Sequence, residues 1–408
     1  MVTWSRFLTC GLIGALTCAT PAAAQFALSR DQVSGVATLG VSVGDHERSW
    51  VDGGLGKAGV DDRITAGAIV AWRPSLNPRI GGLVTASYQS ALSPSVALDE
   101  AYLTLRPSPG EALRLSGRAG LFYPPISLEH DGSEWSLARS ITPSAINSWV
   151  AEEVKAAGLE LTLRTGLAGR PAGLTVAGFR GNDTSGTLLA FRGWALHDLR
   201  ATLNSELPLP PVPAMFVGKQ APWTQPVDEV DGRWGVYSRL DLSPADALDF
   251  SVFAYDNNGD RTTVVNGQYA WRTRFVQVAA RWAPDTRTEV LVQGMQGETS
   301  MGRPSEGMNP ADIGFQSAFV LVSRDLGDSA ITTRLEQFST DDRSFKARDN
   351  NAEHGWSATL AWTRPLRETL EFVVEGVFVS SDRPDRRRLG VDRRQENLRL
   401  TTALRASF

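Results

Sequence analysis

The sequence predicts an all-β protein, a transmembrane antiparallel up-and-down β-barrel of 18 strands, with 16 as the alternative. Three observations carry this expectation. Apolar residues alternate with small or polar ones in "GVATLGVSVG", "ITAGAIVAW", "VALDEAYLTLRP", "EALRLSGRAGLFY", "GLELTLRTG" and "LEFVVEGVFVSS", which is the period of a strand. Connections alternate between short turns and longer polar loops, as in barrels whose two rims differ. The chain ends on "LRLTTALRASF", an amphipathic strand running to the last residue, although chain ends usually fray.

The N-terminus comes first. Arg6, the apolar "FLTCGLIGALTCAT" and the small-residue "PAAAQ" make residues 1–24 an export signal, with cleavage expected after Ala24. Cys10 and Cys18 both lie inside it, so residues 25–408, the barrel proper, hold neither disulfide nor thiolate metal site. The net charge is −4 and the pI about 5.7, which offers nothing to nucleic acid. Four of the basic residues are lysines (Lys57, Lys155, Lys219, Lys346) and the rest arginines. Beyond the signal, no run of about 18 apolar residues predicts a membrane helix.

Eight short turns are expected: "RPSLNPR", "RPSPGE", "RTGLAGRPAG", "HDLR", "LSPADAL", "APDTR", "DLGDS" and "RPLRET". Nine longer loops centre near residues 45–62, 91–95, 124–153, 182–185, 208–231, 257–268, 299–312, 341–353 and 382–394. Together they give 18 strands, with both chain ends on the short-turn side. The proline-rich "ATLNSELPLPPVP" is a strand only in its first half; without it and one other the count is 16. Trp72, Trp282 and Trp362 precede proline-containing turns, and Trp234, Trp271 and Trp356 follow long loops. Indoles at both strand ends suit the two interfaces of a membrane.

In the last strand Leu398, Leu400, Thr402, Leu404, Ala406 and Phe408 share one face. Such a strand must pair with the first, because hydrocarbon leaves no open edge unpenalised. Leu400, Leu404, Ala406 and Phe408 look like the closing-strand signal that the assembly machinery of outer-membrane barrels reads. The opposite faces carry charge: Arg114, Ser116 and Arg118, then Glu160, Thr162 and Arg164, then Arg399 and Arg405. Mid-strand charge is costly toward lipid, so these side chains are expected in a water-filled lumen. In the loop of residues 124–153, "PSAINSW" after Thr142 reads as one helical turn. If that loop folds inward, Glu129, Asp131 and Glu134 oppose wall arginines and form a charged constriction.

The run "DEAYLTLRPSPGEALRLSGRAGLFYPPISLE", with "YDNNGDRTTVVNGQYAWRTRF" and "RLEQFSTDDRSFKARDNNAEHGWSATLAW", resembles segments of the phosphate-selective porin family of bacteria. The likeness falls in blocks from about residue 96 to the C-terminus. It implies an outer-membrane channel, often a homotrimer, for small hydrophilic solutes, with outer-membrane lipid, lipopolysaccharide and the assembly machinery as partners. Residues 124–153 contain no lysine, so phosphate selectivity is not carried over.

Other chemistries are weaker. "GVSVG" around Ser42 matches G-x-S-x-G, but the nucleophile elbow needs a strand-to-helix turn and Ser42 lies mid-strand. A Ser-His pair is short of histidine, with three of four (His46, His130, His354) placed in outer loops and His197 in a short turn. "DNNGD" and "STDDRS" could offer oxygens to calcium but read as Asx turns. No enzyme activity, cofactor or metal is expected. The expected role is a passive porin of the Gram-negative outer membrane for small hydrophilic solutes, anions among them; a structural or adhesive barrel with a blocked lumen is the alternative.

Overall fold

The computed structural model describes residues 30–45, 47–59, 64–305, 309–344 and 350–408; the expected export signal lies outside them. Sixteen strands close into one antiparallel barrel. They are β1 (Val33–Asp45), β2 (Ile64–Trp72), β3 (Ile80–Gln89), β4 (Val96–Leu105), β5 (Arg114–Phe122), β6 (Ala156–Leu167), β7 (Arg170–Arg180) and β8 (Gly235–Ala245), then β9 (Leu248–Asp256), β10 (Arg272–Asp285), β11 (Thr288–Met301), β12 (Ala311–Asp325), β13 (Ala330–Asp342), β14 (Glu353–Arg367), β15 (Leu370–Asp382) and β16 (Arg394–Ser407).

The count is therefore 16 rather than 18. Residues 181–234, expected to supply two strands and the "HDLR" turn, form one long connection instead. Leu188, Leu189, Ala190 and Phe191 are buried consecutively on a helix, Ser185–Phe191, so this stretch has the wrong period for a wall with one lipid face. The prolines of "LPLPPVP" lack the N–H groups a ladder needs. His197 accordingly sits inside the barrel and not in a turn.

Closure runs through the terminal strand. β16 pairs with β1 from Val36↔Ser407 to Asp45↔Leu398. Phe408 and Gly35 extend the seam by exchanging backbone hydrogen bonds of 3.0 and 3.1 Å. No sheet edge is left to hydrocarbon. Along β1 and β16 the outward Leu39, Val41, Val43, Leu398, Leu400 and Leu404 are each 43–58% exposed, while inward Ser42 and Thr401 are buried and share a hydrogen bond of 3.0 Å. An apolar surface over a polar interior inverts a soluble protein and suits a lipid solvent. Among the described residues no helix is long and apolar enough to cross a membrane.

Trp282 and Trp362 sit outward at the turn rim, Trp234 and Trp356 at the loop rim. Trp271 departs from the expected girdle: it is fully buried in the interior. A bulge where β3 pairs with β4, between Thr85 and Ala86, turns both Asp99 and Glu100 inward, which strict alternation forbids.

Candidate solute passage

Two long connections, after β5 and after β7, fold into the lumen, and among the described residues 49–59 after β1 are largely buried against the second through the Ala58 and Leu196 bridge. The first, after β5, turns inward at Pro124–Pro125, where Arg239 on β8 donates to the Pro125 carbonyl and Gln277 on β10 donates to the Ile126 carbonyl at 2.8 Å. A helix, α1 (Ala145–Val150), is capped by Ser144 and not by Thr142, the Ser144 Oγ accepting from Asn147 N–H at 3.3 Å. Glu336 on β13 accepts the next N–H, from Ala145, at 2.6 Å, placing negative charge at the helix start. Glu375 on β15 accepts from Ile141 and Thr142 N–H, and Arg405 on β16 donates to the Ser140 carbonyl at 3.0 Å. Gln293 on β11 accepts from Asn147 Nδ2 at 3.1 Å and Ser34 on β1 donates to Glu134 at 2.7 Å, so the loop spans the lumen and is held by seven strands.

The second connection, residues 181–234, carries α2 (Ser185–Phe191) and packs Trp194 edge-on against Trp149 of α1, centroids 5.8 Å apart. Both indoles sit on inward aromatics of β9 to β13: Phe253, Tyr255, Phe275, Phe315 and Phe338 are all buried around them. That half of the lumen is therefore dry, contrary to the water-filled interior expected. Buried ion pairs fix the rest. Lys57 meets Glu353 at 2.7 Å, Arg192 meets Glu153 at 2.6 Å, and Lys155 pairs with Asp99, the bulge residue of β4. His130 Nε2 lies 2.6 Å from Glu152, and His197 Nε2 lies 2.9 Å from Glu153. Burial drives the Lys57 ammonium down to about 7, against the pull of Glu353.

The three loop acids each meet arginine, though not the arginines named from sequence. Glu129 pairs with Arg334 at 2.9 Å, Asp131 with Arg139 and Arg281 at 2.8 Å each, and Glu134 with Arg73 at 2.6 Å. Two guanidiniums hold the Asp131 carboxyl below its usual range, against partial burial. Arg118 pairs instead with Glu160 on the next strand at 2.8 Å. Arg114 and Arg164 are register partners on β5 and β6. They face a vestibule of about 1120 Å³ below the first loop, with Arg118, Arg239, Glu160 and Asp241.

A second space, about 140 Å³, lies between the loops and the wall of β16, β1, β2 and β3. Arg399 and Arg405 line it from β16, Thr38 from β1 and Ser87 from β3; Asp198 and Arg200 face them from the second inward connection. The polar remnant of the lumen is thus off-centre. Asp198 is not legible as a lumen residue in the sequence because "HDLR" reads as a turn; the adjacent His-Asp charge is its sole signal. Of the closing-strand residues, Leu400 and Leu404 face outward and Phe408 is 66% exposed.

The weaker motifs have structural roles. Ser42 is mid-strand in β1 and bonded to Thr401. Asp256 accepts from Asn258 N–H at 2.7 Å and Asp342 from Ser344 N–H at 2.9 Å, both Asx-turn bonds. Asp183, Glu229 and Asp231 bring carboxylate oxygens within 4.8 Å of one another. Each also accepts backbone N–H groups: Asp183 from Val230 and Asp231, Glu229 from Gly181 and Gly232, Asp231 from Arg233. They staple the ends of the long connection.

No family model and no curated protein matches the chain. Solved barrels do. The outer membrane channel DcaP of Acinetobacter baumannii aligns with TM-score 0.57 and 10% identity, over 93% of this chain and 99% of that one. A loop L8 deletion mutant of OmpT, an outer membrane protein of Vibrio cholerae, aligns with TM-score 0.52 and 8% identity, over 92% and 99%. An anion-selective porin from Comamonas acidovorans aligns with TM-score 0.51 and 10% identity, over 92% and 98%. At such identities the likeness is one of fold: a closed barrel of the outer-membrane porin type.

Proposed function

We propose that the chain is a passive, narrow porin of the Gram-negative outer membrane, exported through residues 1–24 and admitting small hydrophilic solutes. The observation that carries this reading is the off-centre space beside β16 to β3, lined by Arg399, Arg405, Arg200 and Asp198 inside an apolar-surfaced barrel. A buried strip of polar wall without a channel would have no reason to stay unfilled, whereas the facing half is packed with aromatic rings. Two of the similar barrels are described as a channel and an anion-selective porin, which supports the same role here. Solutes move down their gradients, at rates set by width and by the field of the lining charges.

An anion preference follows from the vestibule. Glu160 offsets Arg118, and Asp241 offsets Arg239 at 2.7 Å, leaving Arg114 and Arg164 as adjacent positive charges at the turn-side mouth. The decisive experiment is single-channel recording in a planar bilayer under a salt gradient. Stepwise openings with anion-selective reversal are expected, and Arg114→Gln with Arg164→Gln moves the reversal potential toward cations. A silent membrane with a folded barrel refutes the channel.

That silent outcome would favour a blocked structural barrel, for which the density of the inward loops speaks: Trp149, Trp194, Arg192, Arg334 and Arg383 are all under 2% exposed within the lumen. The assembly is proposed to be a homotrimer. β2 to β5 are only 9–10 residues long against 13–15 for β10 to β16, and Ala66, Ala68, Ala86, Ala101, Gly117 and Ala119 give their outer faces little bulk. Such a face packs against another barrel more closely than lipid chains do. Lipid and lipopolysaccharide cover the remaining wall, and the assembly machinery reads the strand ending at Phe408.

A further inference from the structure

We propose that the off-centre cavity is a binding site for small neutral polyols, molecules of a few carbons carrying hydroxyls on adjacent atoms. The inference rests on the channel reading for its biological use, but not for its chemistry.

The charged groups on the cavity wall are already satisfied within the protein. Arg399 donates to the Ala58 carbonyl at 3.1 Å and to Ser42 Oγ at 2.9 Å. Arg405 donates to Glu371 and to the Ser140 carbonyl, each at 3.0 Å. Arg200 lies 3.4 Å from Asp99 and 3.6 Å from Glu152, and His130 sits 2.6 Å from Glu152. The Asp198 carboxylate accepts its own backbone N–H and faces Arg399. An ion entering this space would shed water and find each opposite charge occupied, which is a costly exchange.

The hydroxyls are not satisfied. Thr38 on β1, Thr65 on β2, Ser87 on β3 and Ser136 on the first inward loop all line the cavity. Ser87 Oγ is buried without a hydrogen bond, and among the described residues the other three hydroxyls have no partner either. The ladder keeps two of them open: Thr38 stands opposite Gly67 and Thr65 opposite Gly40, and a Cβ on Gly40 would come 3.0 Å from Thr65 Oγ1. Glu152 Oε2 also lacks a hydrogen bond, and a hydroxyl supplies that donor without adding charge. Buried polar groups left unpaired are costly.

Each hydroxyl both donates and accepts, so a polyol matches such a wall at several points. The volume of about 140 Å³ is close to that of the ~150 Å³ cavity that takes up benzene, a ring of six heavy atoms. Glycerol has the same number of heavy atoms and a hydroxyl on every carbon. Lactate and serinol keep that size but bring a negative and a positive charge.

Saturation-transfer NMR on the barrel folded in detergent, with glycerol as the probe, tests the site without requiring conduction. Glycerol is expected to give a saturable signal, and lactate and serinol to compete for it about tenfold more weakly. Thr38→Val with Ser87→Ala removes two neutral hydrogen-bonding groups and should weaken glycerol by about tenfold or more, while Thr38→Ser should retain it. Heat-modifiable mobility on a detergent gel verifies that each variant is folded. The lack of a saturable glycerol signal leaves the cavity to water alone and overturns the proposal. Equal competition by lactate or serinol, or an unchanged affinity in the folded double variant, overturns it too. Conductance without glycerol binding refutes this site and spares the channel; glycerol binding in a silent barrel refutes the channel and spares this site.

Discussion

Replacing Arg334 by alanine should release the first inward loop without opening the barrel. Arg334 on β13 is 1% exposed. It donates to Glu129 at 2.9 Å, Glu336 at 3.1 Å, the Thr142 and Pro143 carbonyls at 2.8 and 3.0 Å, and Thr359 at 3.1 Å. Three of these five partners belong to the loop. Glu129 in turn accepts from Ser144 N–H and Asn147 Nδ2 at 3.0 and 2.6 Å, so it organises the start of α1. Truncation strands two buried carboxylates and two carbonyls. Breaking a buried pair costs about 3–5 kcal/mol, which shifts the docked-to-released equilibrium by a factor of about 10² to 10⁴. The wall is spared because the β12–β13–β14 ladder uses backbone groups only. In planar bilayers Arg334→Ala should show larger, flickering unitary conductance, and iodide should quench Trp149 and Trp194 more readily. The double replacement Glu129→Gln with Arg334→Met removes both charges and should recover part of the wild-type quenching. A folded Arg334→Ala barrel with unchanged conductance and unchanged quenching refutes the claim that this pair docks the loop.

Two further outcomes are expected. Burial, then Glu229 and Asp231, push the Asp183 carboxyl up to about 7 against the Val230 N–H, and burial with Glu206 lifts Asp228 to about 6. Protonation therefore favours the folded connection: the contribution is complete below about pH 4, bounded at about 4 kcal/mol for Asp183, and lost as pH rises through about 7. Hydrogen exchange at the Gly181 and Trp271 amides should show protection falling from pH 5 to pH 8, and a slope unchanged in Asp183→Asn would contradict this. At the closing seam, a Cβ on Gly35 would strike the Phe408 ring and come 2.7 Å from the Ile69 carbonyl oxygen. Gly35→Val should cost about 1–3 kcal/mol and lower the heat-modifiable folded fraction. Gly376→Val, where an added Cβ meets nothing within 4 Å, should not; equal behaviour of the two would refute a tight seam.

The inward faces of β5, β6 and β16 and the outward Leu398, Leu400 and Leu404 were legible because strand periodicity is local. A residue's face follows from its parity, and the expense of charge in hydrocarbon assigns which face is which. The alternation of short and long connections likewise placed both chain ends on one rim. Where local rules bend, reading by parity fails: the bulge opposite Thr85 hides the inward turn of Asp99, and Trp271 follows a loop as a girdle residue would yet points into the core.

The sequence by itself thus determined a barrel, its apolar outer face and its closing strand, and it left the inward turn of the acidic loop open. Only the tertiary structure decided that the strands number 16, that Glu129 meets Arg334 across 205 positions of chain, and that the polar cavity lies beside β16 to β3. The reason is physical. A wall is specified by neighbours two residues apart, but what fills a lumen depends on which distant side chains ring closure brings face to face. Residues 181–234 carry enough apolar and proline signals to mimic wall and turn, and only the aromatic half-lumen of β9 to β13 gives them a place to pack.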